Sequence, residues 1–184
     1  KGPLLLKSII MVRVLGIKIT DRIKESGLVQ RALSEHASVV STRLGFHELN
    51  DELCSREGFM VIHLAGNADD CEDLVAKLKG IEGLFVREII FSHGLSDAPV
   101  ECEGTTILGI MVPRRDDLGP AVQALLTTYG CVIRTRLGVN EVYFGEPAGL
   151  IILELAGDRS QYLSLERSLR EIEEIAIGRI CFPA

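Results

Sequence analysis

Two arginines recur at corresponding places in the chain, each inside the tetrad Thr-Arg-Leu-Gly: Arg43 and Arg136. A guanidinium group can hold a carboxylate or a phosphate through two parallel hydrogen bonds, so a repeated arginine is a candidate for anion binding. We therefore predict that Arg43 and Arg136 bind a ligand. The alternative is that such arginines pair with acidic side chains, as Arg134 or Arg136 could with Glu154.

Four further polar residues lie on predicted strands and are added to the candidate ligand-binding residues: Lys18, His63, Arg134 and Glu154. His63 has no second histidine or cysteine at metal-binding spacing, so a hydrogen-bonded histidine is favoured over a metal ligand. His36 lies near a predicted helix C-terminus, where a partial positive charge is favourable, and a capping role is expected.

The sequence lacks the motifs of common catalytic sites. It contains no G-x-S-x-G, no P-loop, no G-x-G-x-x-G after a strand and no H-E-x-x-H. The acidic loop 48–52 lacks the spacing and the glycine of a calcium-binding EF-hand. We therefore predict a protein without catalytic residues or a metal site, and the sequence leaves any cofactor unidentified.

The net charge and the cysteine content restrict the kinds of molecule that this protein is expected to bind and the compartment in which it is expected to lie. The net charge of the 184 residues is −6, and the basic pair Arg114-Arg115 is followed at once by two aspartates. Direct nucleic-acid binding is therefore disfavoured, since it usually needs a basic patch. Five cysteines without a C-x-x-C pair indicate reduced thiols and a cytoplasmic protein. Charged residues interrupt the N-terminal apolar stretch, so no membrane span is predicted.

The elements that must position these residues come from a duplication. Residues 15–48 realign without a gap on residues 108–141, with 13 of 34 positions identical. Residues 58–91 realign on residues 149–182, with 10 of 34 identical. Two copies are too few for a solenoid. We predict two small domains, at 11–91 and 105–184, joined by a linker at 92–104.

Each copy reads strand, helix, strand, strand, helix, strand. Alternating apolar residues mark the strands and a 3.6-residue apolar spacing marks the helices. A polar loop is predicted between the second and third strands, at 47–57 and again at 140–147. This βαββαβ order predicts an α+β protein made of two tandem ferredoxin-like sandwiches, each with an antiparallel sheet and two helices on one face.

The sheet face away from the helices decides the function. Strand alternation predicts that it carries a mixture of apolar and charged side chains: Gly16, Lys18, Ser41, Arg43, Phe59, Val61 and His63 in the first copy, and Gly109, Met111, Arg134, Arg136, Leu150, Ile152 and Glu154 in the second. Such a face is rarely left bare, so we predict that it meets another sheet. Gly16 and Gly109 are expected to permit a close backbone approach.

The first half resembles the small ferredoxin-like proteins called iron-only hydrogenase system regulators. The resemblance is carried by the strand 39–46, which contains Thr42-Arg43-Leu44-Gly45, and by the helix-to-strand run 74–86. The second half keeps the tetrad at 135–138 but has Glu171 and Glu174 where the first half has glycines. The same topology occurs in ACT regulatory domains, whose first loop and helix the stretch 117–130 resembles, and in the C-terminal domain of nickel-responsive regulators.

This resemblance implies a non-enzymatic regulator that binds a small-molecule effector between paired ACT-like units, and a homodimer with four units. Metal-binding histidines of the nickel regulators are replaced here by Arg43 and Gly45. Two alternatives stay open: a protein partner of a hydrogenase or of its maturation system, and a ferredoxin-like dimeric oxygenase with His63 at its centre.

Overall fold

The structure is a computed structural model that describes residues 12–47, 55–91, 103–143 and 146–183. The first unit contains β1 (Val12–Ile19), α1 (Arg22–Glu35), β2 (Val40–Phe46), β3 (Gly58–Leu64), α2 (Ala68–Lys79) and β4 (Leu84–Phe91). The second unit contains β5 (Gly104–Pro113), α3 (Arg115–Thr128), β6 (Ile133–Tyr143), β7 (Glu146–Leu155), α4 (Arg159–Arg170) and β8 (Ala176–Pro183). A short 3₁₀ turn, Gly130–Val132, precedes β6.

Each unit forms one antiparallel four-stranded sheet. The strand orders are β2-β3-β1-β4 and β6-β7-β5-β8, so the two sheets have the same topology. The predicted α+β fold of two tandem ferredoxin-like units is confirmed. The β6–β7 hairpin is longer than predicted, because β6 continues to Tyr143 and β7 begins at Glu146, within the segment expected to be a loop.

Side-chain caps begin three of the four helices. Asp21 accepts hydrogen bonds from the backbone N–H groups of Ile23 and Lys24 at the start of α1, and Asn67 and Asp158 cap α2 and α4 in the same way. Helix α3 instead follows Arg114, which has φ 43° and gives no side-chain cap. The predicted capping role of His36 is confirmed, since its Nδ1 lies 2.9 Å from the carbonyl oxygen of Ala32.

Three apolar clusters hold the described residues together. One lies between the first sheet and its helices, and a second lies between the second sheet and its helices. The third joins the two sheets through side chains of both units, among them Phe59, Phe91, Leu150 and Phe182. The face turned away from the helices therefore meets another sheet, as predicted, and that sheet belongs to the same chain.

Two glycines allow the sheets to approach. A Cβ at Gly16 would lie 3.0 Å from Ile180, and a Cβ at Gly109 would lie 3.0 Å from Ile89. Because Gly16 corresponds to Gly109 and Ile89 to Ile180, the two contacts are related by the duplication. The predicted role of both glycines in close approach is confirmed.

The structure also bears on the predictions made for the cysteines, for a membrane span and for the linker. Cys71 and Cys131 are free, as expected, but Cys181 is disulfide-bonded, so the prediction of reduced thiols is wrong for that residue. None of the helices in the described ranges has the length and apolar character required to span a membrane. The predicted linker lies mostly outside the described residues.

Candidate functional site

The two repeated arginines lie on the opposite sheet face from the one predicted. Arg43 is paired across the sheet with Ile62, and Arg136 with Leu153, and both partners belong to helix-side clusters. The cause is an irregularity in register between Val40 and Thr42, and its counterpart in β6. One extra residue in a strand reverses the side-chain alternation beyond it. Arg43 and Arg136 therefore lie on the helix side of their sheets, away from the other unit.

Each of these arginines contacts a glutamine of the neighbouring helix. Arg43 donates to Gln30 Oε1 at 2.9 Å, and Arg136 donates to Gln123 Oε1 at 2.7 Å. Gln30 and Gln123 are themselves identical residues of the duplication. Each Arg–Gln hydrogen bond therefore links the second strand of its unit to the first helix. The recurrence of the arginine in both units fits this structural contact as well as it fits ligand binding.

His63 and Glu154 occupy corresponding positions and lie at the interface between the sheets, as predicted. Their exposed fractions are 1% and 5%. Each is paired across its sheet with a threonine of the repeated tetrad, His63 with Thr42 and Glu154 with Thr135. In the residues the structure describes, no three His, Cys, Asp or Glu side chains are grouped so that they could hold a metal ion.

Glu154 is held by two hydrogen bonds from β6. Arg134 donates to Glu154 Oε1 at 3.1 Å and Thr135 donates to Oε2 at 2.5 Å. The Glu154 side chain is only 4% exposed whereas that of Arg134 is 51% exposed. A buried carboxylate needs such partners, because loss of hydration would otherwise disfavour its charged form. The pairing of Arg134 with Glu154 is the alternative that the sequence allowed.

Three of the six candidate residues meet in a cleft between the units. This interunit cleft has a volume of about 370 Å³. It is lined by Lys18, Ser55, Glu57 and Phe59 of the first unit and by Gly104, Thr105, Arg134, Glu154, Leu155, Ala156, Gly157 and Pro183 of the second. Such a volume lies within the range of small-molecule sites.

Lys18 and Glu57 are the charged residues that the first unit contributes to the lining of the cleft. The Lys18 side chain is 12% exposed and its Nζ lies 3.4 Å from Glu57 Oε2 and 3.2 Å from the carbonyl oxygen of Pro183. The cleft thus presents an ammonium and a guanidinium group together with two carboxylates. Lys18 is paired with Glu57 and Arg134 with Glu154, so each cation of the cleft lies beside a carboxylate of the same unit.

The sequence did not single out Glu57 or Thr135 among the polar residues that line or support the cleft. Glu57 falls in the predicted polar loop, where an acidic residue carries no distinguishing signal. Thr135 belongs to the repeated tetrad, and its position directly before Arg136 could have drawn attention to it. Arg43, Arg136 and His63 are not among the residues that line the cleft.

The sequence matches no protein-family model and no curated protein. Several solved structures match this chain at low identity and with low TM-scores. An uncharacterized protein from Thermotoga maritima is 22% identical, with 44% of this chain covering 96% of that protein at a TM-score of 0.38. A chlorite dismutase variant from Candidatus Nitrospira defluvii is 11% identical, over 92% of this chain and 86% of that one, at a TM-score of 0.37.

A protein described as a glycine cleavage system transcriptional repressor is also 11% identical, over 95% of this chain and all of that one, at a TM-score of 0.36. Because one fold serves unrelated functions, the function of this chain must be argued from its own site.

Proposed function

We propose that this chain is a non-enzymatic regulatory module that binds a small-molecule effector in the interunit cleft. The observation that supports the proposal is the meeting of Lys18 from one unit with Arg134 and the buried Glu154 from the other around one cavity. A ligand there contacts both units, so its affinity depends on how the sheets pack. It would stabilise the packing that fits it, which is how a binding event can change the shape presented to a partner.

We further propose that the regulated system is an iron-only hydrogenase system. This rests on the residue pattern of 39–46 and 74–86 described above. In this proposal residues 11–91 and 105–184 are the two ligand-binding domains, the active form is a cytoplasmic homodimer with four ACT-like units, and nucleic acid is not contacted directly.

The proposal is tested by native mass spectrometry of the freshly purified chain, compared with its denatured mass. We expect extra mass in the native protein that denaturation removes. The duplication supplies matched variants, because Met111 corresponds to Lys18 and Ser41 to Arg134. Lys18→Met and Arg134→Ser should each lose the extra mass. Arg43→Gln, on the far side of the first sheet, should keep it.

Other outcomes separate the alternatives. A bare native mass, together with no small molecule that raises the melting temperature, would contradict the effector proposal and favour a protein-interaction role. Catalytic turnover of a haem- or quinol-dependent kind that is lost in His63→Ala would favour the oxygenase. A retained ligand in both Lys18→Met and Arg134→Ser would place the ligand elsewhere in the protein.

A further inference from the structure

A second cavity lies on the helix side of the second sheet, between the first two turns of α3 and strands β6 and β7. This α3 cavity has a volume of about 490 Å³. It is lined by Val112, Arg115, Asp116, Gly119, Pro120, Gln123, Arg136, Gly138, Asn140, Gly149 and Ile151. Val112 and Ile151 belong to the helix-side cluster, so the cavity is separated from the interunit cleft by the sheet.

Two guanidinium groups and two side-chain amides line the α3 cavity. They belong to Arg115, Arg136, Gln123 and Asn140, and Asp116 is the acidic residue among the lining side chains. Arg136 donates to Gln123 Oε1 at 2.7 Å, which uses one of the five N–H groups of a guanidinium. The polar groups of the cavity are therefore weighted towards donors, as the recognition of a carboxylate or phosphate requires.

Among the residues that the structure describes, the partner of Arg115 is Asp116, and the contact is weak. The Arg115 Nε lies 3.3 Å from Asp116 Oδ1, and the Asp116 side chain is 85% exposed. An ion pair so exposed to water contributes little to stability. An incoming anion can therefore replace Asp116 as the partner of Arg115 at little cost.

The corresponding place in the first unit is filled by protein. Arg22 corresponds to Arg115, and it lies across Gly58 so closely that a Cβ at Gly58 would collide with the Arg22 side chain. The Arg22 guanidinium donates to the carbonyl oxygen of Ser55 from Nη2 at 2.6 Å and from Nε at 3.2 Å. One arginine thus closes the site in the first unit.

The second unit leaves this place open. At Gly149, which corresponds to Gly58, an added Cβ would meet only the Cβ of Arg115 at 3.9 Å and Asn140 Oδ1 at 3.6 Å. The distal part of the Arg115 side chain lies towards Asp116 instead of over the strand. Arg22 therefore closes this place in the first unit, whereas its counterpart Arg115 is available to a ligand in the second.

We propose that the α3 cavity is a binding site for a small dicarboxylate, with one carboxylate held by Arg136 and the other by Arg115. Gln123 and Asn140 donate further hydrogen bonds from their amide groups. In the described part of the first unit, Arg22 occupies the equivalent place. This site is separate from the interunit cleft, and it stands or falls independently of the effector proposed there.

The test is isothermal titration calorimetry of the full chain with succinate, against sodium chloride of matched ionic strength. We expect one succinate per chain, and we expect Arg136→Gln and Arg115→Gln each to weaken binding by about tenfold or more. Arg43→Gln is the matched control, since Arg43 makes the same glutamine contact in the first unit. It should leave the succinate affinity unchanged. Succinamide, which has the same length but no charge, should not bind.

Three results would overturn the proposal. The first is the absence of saturable succinate binding to the wild-type chain. The second is an equal loss of affinity in Arg43→Gln and Arg136→Gln, which would indicate a general charge effect. The third is loss of binding in Lys18→Met with binding retained in Arg136→Gln, which would place the anion in the interunit cleft and leave the proposed function intact.

Discussion

The two units share a topology but place their buried charges differently. In the first unit Arg13 of β1 is buried. Its guanidinium lies 2.6 Å from the carboxylate of Glu72 in α2 and 3.8 Å from that of Glu88 in β4. In the second unit Arg179 of β8 pairs with Glu166 of α4, and both side chains are almost fully buried. In the duplication, Arg13 corresponds to Thr106, Glu88 to Arg179 and Val75 to Glu166. The second unit thus lacks the charge of Arg13, carries the opposite charge to Glu88 and has a charge in place of Val75.

This difference shows which contacts the duplicated fold constrains. Most apolar positions of the three clusters, and the pair Gly16 and Gly109 between the sheets, are retained because each must fit a dense core. A buried charge needs a partner of opposite sign and further hydrogen bonds, and several neighbouring positions in the fold can supply them. The buried ion pairs therefore occupy different positions in the two units. The polar residues that the two units contribute to the cleft also differ.

The largest expected effect comes from breaking the buried pair of the second unit. Glu166→Ala leaves the Arg179 guanidinium buried without its carboxylate, and such a change costs about 3–5 kcal/mol. Glu72→Ala is the matched change in the first unit and should cost less, because the Glu72 side chain is 62% exposed. Urea denaturation of both variants measures the difference, and equal losses would contradict the comparison.

Next in size is the contact between β8 and β4. A Cβ at Gly178 would overlap the side chain of Ile89, so Gly178→Ala should destabilise the protein by about 1–3 kcal/mol. Gly138→Ala is the control, because a Cβ there meets nothing within 4 Å. Combining Gly178→Ala with Ile89→Ala, which removes the Cγ2 that the new Cβ would overlap, should cost less than the sum of the two single losses. Additive losses in the double variant would show that the two residues do not share this contact.

A smaller effect is expected at a turn that differs between the units. Gly83 has φ 83°, and the corresponding Glu174 has φ 72°, a conformation that costs a non-glycine residue about 1–2 kcal/mol. Gly83→Ala should therefore destabilise the first unit, where a Cβ would also collide with Glu25. Glu174→Gly should relieve the strain and raise the melting temperature slightly. The gain is reduced because the change also removes the ion pair between Glu174 and Arg114. A lower melting temperature for Glu174→Gly would contradict this account of strain.

The smallest expected effect is a dependence on pH in the first unit. The hydrogen bond from Arg13 holds the pKa of Glu72 below its ordinary value of 4.5. A lowered pKa means that the pair stabilises the folded state above about pH 4.5, and that this contribution disappears as the pH falls through the lowered pKa. Melting temperatures between neutral and acidic pH should show that Glu72→Gln flattens the acidic slope. Glu35→Gln is a useful comparison, since the Lys77 hydrogen bond lowers the Glu35 pKa in the same way.

Much of the fold was predictable from the sequence, and the candidate site only in part. The repeat, the element order and the face that meets another sheet all follow from patterns that span many residues. Lys18 of the first copy and Arg134 and Glu154 of the second were predicted to lie on the sheet faces turned away from the helices, and these three residues line one cleft. Arg43 and Arg136 were placed wrongly, because the irregularity near the start of β2 and β6 has no signature in the residue types.

The sequence by itself determined that one βαββαβ unit occurs twice and that its bare face must be covered. Periodicity and duplication carry that information because every strand and helix repeats it. Only the tertiary structure decided which polar residues meet. Strand alternation has a period of two, so one bulged residue reverses the face of every side chain after it. Whether an arginine such as Arg22 or Arg115 fills or opens a cavity depends on neighbours far apart in the chain.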